Sequence, residues 1–472
     1  MDLGCQSVGI KRVALANAHE RTNTQQVKMK LKIVQGREEI YSTGGMALIG
    51  NFLNGLESLK RMDGMKTGEV KKGQISQSGI MRCAAGLLCL GKTDYADVET
   101  FRQDRLFRQA LDLAKVPSEE TYRQRLDALS KSEESFNSIE AGNLELLSRV
   151  EDFGMESTPY AKYTPIDADV STQDNSGSRK EGVSWTYQNY EGYAPMFVYV
   201  GTYGYMLANE LRPGSQHCQK GTPELVRRCL EWIKTLKLSN PLWRFDAGND
   251  DSAMSLELDA ACQSLIIKRN LRKESLEQWL ALARRVGEKL PSRDGKNVYI
   301  GSAHHIKPEG SGEDGHVYAV FEVTERLTDA KTGQAFLIPE LEVNTWWTNM
   351  PEEPATVIEL YHRHGTSEQY HSEIKTDIGL ERMPSGSFKT NDLFLRLGML
   401  AFNVLRIIGQ RAMKLKDLLP LKIDVARRRL RSVMQDLIYI GTKLVCHARS
   451  ETLKFGLHCP WFNVFKEIYA SI

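Results

Sequence analysis

Hydrophobic and polar positions divide this chain into stretches with different periods. Residues 1–40 are polar and poorly periodic, and only Lys28, Lys30 and Lys32 alternate with apolar neighbours as in a short strand or arm. From Gly44 to about Val150 apolar residues recur at helical spacing; Gly44-Gly45 opens one segment and Pro117-Ser118 marks another helix start. Between Tyr163 and about Asn270 short apolar runs alternate with helical patterns, including a helix around Thr222 to Lys237 and a strand at Leu265 to Lys268. That alternation predicts a mixed α/β body. A Leu-, Arg- and Glu-rich helix over Lys273 to Leu290 then leads into strand-like runs at Asn297 to Ile300, His316 to Thr324 and Gln334 to Pro339. Thr345-Trp-Trp-Thr-Asn349 reads as a buried strand before a further helix. The expected organisation is a mostly helical region (1–150), a first part of an α/β core (151–270), a β-rich insertion (271–340), a last part of the core (341–410) and a basic helical region (411–472).

Composition narrows the class. At 472 residues the chain is long enough for more than one domain-sized core, and 41% hydrophobic with 26% charged residues is ordinary for a globular protein. No run approaches the ~18 consecutive apolar residues of a membrane span. Lys11, Arg12, Glu20 and Arg21 interrupt any N-terminal apolar segment, so no signal peptide is expected. The reading is a cytoplasmic protein with no membrane partner. Eight cysteines without a Cys-x-x-Cys pair read as reduced thiols, not as disulfides or a zinc site. His304-His305 with His316 is a second metal candidate, in a glycine-rich loop without a fourth ligand.

Net charge is only +2, but it is unevenly placed. From Ala401 to Ile472 there are 13 Lys and Arg against 5 Asp and Glu, a net of +8 that leaves −6 for the rest. Arg427, Arg428, Arg429 and Arg431 concentrate the excess and predict contact with a phosphate backbone.

The chemistry centres on the run from Tyr361 to Lys375. Tyr361, His364, Glu368 and Lys375 stand at i, i+3, i+7 and i+14, which share one stripe of a helix. The stripe offers a phenol, an imidazole, a carboxylate and an ammonium where a core-facing stripe would be apolar. Upstream, Asp167-Ala-Asp169-Val-Ser171 and Arg244-Phe-Asp246-Ala-Gly248 each end a short apolar run on an acid at a turn.

Together these pieces resemble the group 1 DDE transposases of bacterial insertion sequences. That family carries an Asp-x-Thr/Ser motif, an Arg-x-Asp-x-Gly motif and then a Tyr-(2)-Arg-(3)-Glu-(6)-Lys helix, and all three occur here in order. Tyr193-Ala-Pro195, the run Met196 to Gly201, and Leu211-Arg-Pro-Gly214 look like its second and third strands and the turn after them. The resemblance spans roughly Gly44 to Trp461. It implies an RNase H-like catalytic core with a β-rich insertion, flanked by an N-terminal helical DNA-binding region and a C-terminal helical region. Asp169, Asp246 and Glu368 would then be the catalytic and metal-binding acids. Asp169 is preferred to Asp167 because the family's acid stands two before Ser or Thr. Tyr361 and Lys375 would hold DNA phosphates. His364 replaces the family's arginine, so it makes a weaker contact or Arg363 substitutes for it.

What the resemblance implies about chemistry is cut-and-paste DNA transposition. Mg²⁺, as two ions with Mn²⁺ able to substitute, would support hydrolysis at the element end and transfer of the freed 3′ hydroxyl into target DNA. The implied partners are double-stranded DNA (terminal inverted repeats and target) and a second copy of the chain in a synaptic homodimer, near the bacterial nucleoid. Two alternatives stay open: an RNase H-like endonuclease without strand transfer, and a non-catalytic DNA-binding derivative. Trp346 and Trp347 read first as strand core, and the less favoured alternative is an aromatic that stacks on a flipped base.

Overall fold

The computed structural model describes residues 31–64, 75–312, 314–422, 424–447 and 450–472. Lys28 and Lys30 lie outside them, and Lys32 belongs to no helix or strand. The chain divides into Met1–Glu39, whose described residues hold no regular element, and Ile40–Ile472, which contains every element below.

The second unit is organised by one sheet of ten strands, built around β1 (Lys162–Val170), β2 (Met196–Val200), β3 (Tyr205–Glu210), β4 (Pro241–Phe245) and β5 (Ser264–Lys268). Their order is β3-β2-β1-β4-β5. β4 and β5 run parallel to β1, while β2 and β3 form an antiparallel meander on its other side. This is the RNase H-like arrangement. β2 is buried at all five positions, as a strand covered on both faces must be, and its sequence Met-Phe-Val-Tyr-Val is correspondingly a continuous apolar run.

The sheet then keeps growing. β6 (Glu288–Leu290), β7 (Lys296–Ala303), β8 (Tyr318–Thr328) and β9 (Ala335–Thr348) pair antiparallel in succession, and β9 pairs with β5 through Trp346, Trp347 and Thr348. The β-rich insertion is therefore an extension of the core sheet. The single 14-residue strand β9 crosses the expected boundary at residue 340. The helix expected over Lys273 to Leu290 covers Leu276–Val286, and Glu288–Leu290 is a strand.

The 27-residue helix Phe388–Lys414 is buried around nearly its whole circumference and is a central element of the molecule. Several of its buried polar side chains tie it to its surroundings. Asn403 bonds the Met206 backbone and Asn143, and Arg396 reaches Glu140 and Asp392. The N-terminal helices Gln77–Cys89 and Glu133–Leu147 pack on it, and one apolar cluster joins Met46, Ile166 and Phe402. The N-terminal helical region thus shares its core with the ten-stranded sheet. The C-terminal stretch departs from the all-helical expectation. Thr442–His447 and Ser450–Phe455 form a two-stranded antiparallel ladder, with Leu453 and Phe455 packed against the core. Among the described residues no helix is long and apolar enough to cross a membrane, and the seven described cysteines are free.

Candidate active site

Two parallel strands set the geometry. In the β1–β4 register Asp167 lies opposite Arg244 and Ala168 opposite Phe245, so Asp169 comes beside Asp246 at the strand ends. Asp167 and Asp169 are two residues apart and point to the same face of the sheet. Their surroundings differ. Arg244 grips Asp167 with two hydrogen bonds of 2.6 and 2.7 Å, and His364 Nδ1 stands 2.9 Å from the same carboxylate. Burial alone would raise the Asp167 pKa, but Arg244 and His364 outweigh it and hold the carboxyl down at about 2. The same contact raises the pKa of buried His364 against the effect of its own burial.

Asp169 and Asp246 have no such neutralisation. Asp169 accepts the Val170 N–H at 2.8 Å and lies 3.4 Å from His371 Nε2. Asp246 accepts from Asn249 Nδ2 at 2.8 Å. Neither carboxylate has a Lys or Arg ion-pair partner among the described residues. Burial and then the neighbouring charge of Asp169 push the Asp246 carboxyl above its ordinary range.

The segment with Glu368 is one continuous path wound three ways: α-helix to His362, a 3₁₀ turn Arg363–Thr366, α-helix Ser367–Ser372 and a π turn Glu373–Asp377. A 3₁₀ turn tightens the helix and a π turn widens it, so the four-residue stripe expected on a regular helix does not stay on one face. His364 turns inward to Asp167, while Glu368 is exposed. Tyr361 is partly buried against Trp346, at 5.6 Å between ring centres. Its phenol is raised by burial and then by the charges of Asp246 and Asp169. Lys375 is lowered by burial, a shift opposed by Glu381, Glu368 and Asp169. Arg363 is held by Glu156 and Glu359, at 2.5 and 2.6 Å.

Two neighbours went unnoticed in the sequence. His371 is buried between Asp169 and the Tyr199 hydroxyl, 3.2 Å from the latter; its position three after Glu368 was the available signal. Tyr187 lies on an exposed hairpin and donates to the Val170 carbonyl at 3.3 Å. Partial burial, then the charges of Asp169, Asp246 and Glu368, push its phenol up to about 12. Nothing in the local sequence marks it out.

Other expected groups lie elsewhere. Trp346 and Trp347 are buried, and Trp347 donates to Asp250 at 3.0 Å under the Arg269 guanidinium, so neither ring offers a stacking face. His304 stacks on Tyr318 and His316 approaches Asp259, away from any cluster. Arg427, Arg428, Arg429 and Arg431 all ion-pair with acids of this chain; the first two side chains are buried and the other two half-exposed.

The model of the "Transposase DDE domain group 1" family matches residues 23–268 and 330–472, most of the chain. The chain belongs to this family of DDE transposases. The stretch that the family model leaves out, 269–329, contains β6, β7 and β8 of the sheet extension. No curated protein matches the transposase by sequence. Among solved structures, a cryo-EM structure of piggyBac transposase in a synaptic complex with hairpin DNA is similar at 12% identity and a TM-score of 0.42, covering 84% of this chain and 76% of that one.

DDE transposases as a family work with divalent metals, and the donor chemistry here can be tested for that use. Asp169 and Asp246 offer only carboxylate oxygens, the ligands Mg²⁺ takes, and carry adjacent negative charge that a cation would relieve. Among the described residues no three His, Cys, Asp or Glu side chains converge into a ready cage. The aspartate pair fits a metal; Glu368 lies near it without closing on it.

Proposed function

We propose that this transposase cuts and rejoins DNA at the ends of a mobile element, with Asp169, Asp246 and Glu368 as its catalytic carboxylates. One observation carries the reading: two carboxylates at the ends of adjacent parallel strands lie side by side without a Lys or Arg ion pair among the described residues. Uncompensated charge in a partly buried place is costly unless a ligand balances it.

Asp169 and Asp246 would hold Mg²⁺, or Mn²⁺ in its place, with Glu368 as third ligand. The bound metal ions would activate water and neutralise the leaving 3′ oxygen. The chain's own residues do the rest. Val170 N–H and His371 fix the Asp169 carboxylate, and Asn249 fixes that of Asp246. Lys375 and the Tyr361 phenol, both feeling the charge of the acids, would bind the phosphates flanking the scissile bond. His364 serves Asp167 and so fastens the glutamate segment to β1. The substrates would be terminal inverted repeats and then target DNA, synapsed by two copies of the chain, in the manner of a bacterial insertion sequence.

The test is cleavage of a duplex that carries the element end, with wild type beside Glu368→Gln. Mg²⁺-dependent nicking at the end, lost in the variant, is the expected result, followed by joining of the freed 3′ end to a second duplex. Nicking without joining would leave an endonuclease. Binding without nicking by either protein would leave a DNA-binding derivative.

A further inference from the structure

The basic run Arg427–Arg431 was expected to grip DNA, yet each of its four arginines is paired with an acid of this chain. Arg427 donates to Glu373 Oε1 at 2.5 Å and to Gln369 Oε1 at 2.8 Å, with its guanidinium 4.6 Å from the Tyr370 ring centre. Arg429 takes both oxygens of Asp377 at 2.8 and 2.9 Å and also reaches Ser372 and Thr376, each at 3.1 Å. Arg431 adds its backbone N–H at 3.1 Å and its guanidinium at 3.4 Å to the same carboxylate. Arg406, on the central helix, pairs with the other oxygen of Glu373 and donates to the Arg428 carbonyl at 2.8 Å. Arg428 faces the other way, onto Asp436 and over Trp461.

Glu373 and Asp377 are the first and last residues of the π turn, and both are buried. A π turn is an unfavourable winding that persists only where its surroundings hold it. Here the clamping contacts fall on its two ends, on Thr376 beside the second end and on the turn just before it, and Lys375 lies between the two clamped acids.

We infer that Arg427, Arg429 and Arg431 are positioning residues: they clamp the π turn and so set where Glu368 and Lys375 stand relative to the aspartate pair. The inference rests on the reading of those two residues as part of the active site. It replaces phosphate contact as the main role of the basic run. Arginine is the side chain suited to it, because its planar fork takes both oxygens of a carboxylate where lysine offers a single point charge.

Two measurements on the full chain separate the roles, and neither needs cleavage. The first is the salt dependence of binding to a random-sequence duplex, for wild type, Arg427→Gln/Arg429→Gln and Arg429→Lys. A clamp leaves the slope of log K against log salt unchanged, whereas each lost phosphate contact lowers its size by about 0.9. The second is backbone hydrogen exchange over residues 373–378. A clamp predicts faster exchange there in the double variant, in Asp377→Asn and in Arg429→Lys, which keeps the charge but loses the fork. If the double variant fails to fold, Arg431→Gln, whose side chain is half-exposed, takes its place with a smaller change of the same sign. Unchanged exchange together with a slope reduced by nearly 0.9 per arginine would overturn the inference. Wild type that never cuts DNA would sink the transposase reading and leave the exchange result to decide the clamp.

Discussion

Asp167 and Asp169 leave the same face of the same strand two residues apart, yet the protein treats them in opposite ways. Asp167 is buried, doubly bonded to Arg244 and touched by His364. Asp169 meets its register neighbour Asp246, another acid, with a backbone N–H, a histidine and an asparagine among their neighbours and no Lys or Arg ion pair among the described residues. One site is closed by its own cations. The other keeps two neighbouring acids without a Lys or Arg ion pair among the described residues. The difference between a structural carboxylate and a chemical one thus lies in whether the fold supplies the counter-charge.

The sharpest way to break this contrast is to remove a counter-charge. Arg244→Leu leaves Asp167 ionised and buried without its main partner and is expected to cost about 3–5 kcal/mol in denaturant unfolding; a loss below about 1 kcal/mol would mean that Asp167 is not held by charge. Asp169→Asn should lower end cleavage by about a hundredfold to a thousandfold or more while leaving the unfolding midpoint near that of wild type. Mg²⁺ should raise the stability of wild type, by about 2.7 kcal/mol at 100 times its dissociation constant, and Asp246→Asn should respond far less in the same melting series.

A smaller effect concerns pH. The folded pKa of His364 is raised, so the stability it contributes is complete below the ordinary imidazole value of 6.5 and is lost as pH rises through the folded value. His364→Gln should therefore trail wild type by about 1.5–3 kcal/mol in acid, with the gap narrowing toward alkaline pH. Tyr187→Phe should change least. It removes one hydrogen bond, worth about 0.5–1.5 kcal/mol, and a loss of cleavage beyond tenfold would give that phenol a larger part than its geometry supports.

Much of the fold was legible because its strands are short apolar runs closed by acids or turns. The segments from Tyr163, from Met196, from Leu242 and from Leu265 all became sheet strands. The resemblance to DDE transposases agrees with the family match. Contacts between distant segments were not legible. Nothing near Asp167 announces that Arg244 and His364 will neutralise it, 77 and 197 residues away. The π turn was missed because Glu373 and Asp377 look like solvated acids until the arginines that hold them are folded against them. The β-hairpin at Thr442–Phe455 was missed because a basic, mixed sequence carries no clear period.

The outward pairing of β9, β8, β7 and β6 from β5 has a consequence for how such a molecule can diversify. The two aspartates stand on β1 and β4, so β5 separates them from every added strand. Each new hairpin needs only the free rim of the one before it. The rim can therefore lengthen or shorten by whole hairpins, changing the reach and surface of the protein, while the spacing of its central pair of acids is inherited intact.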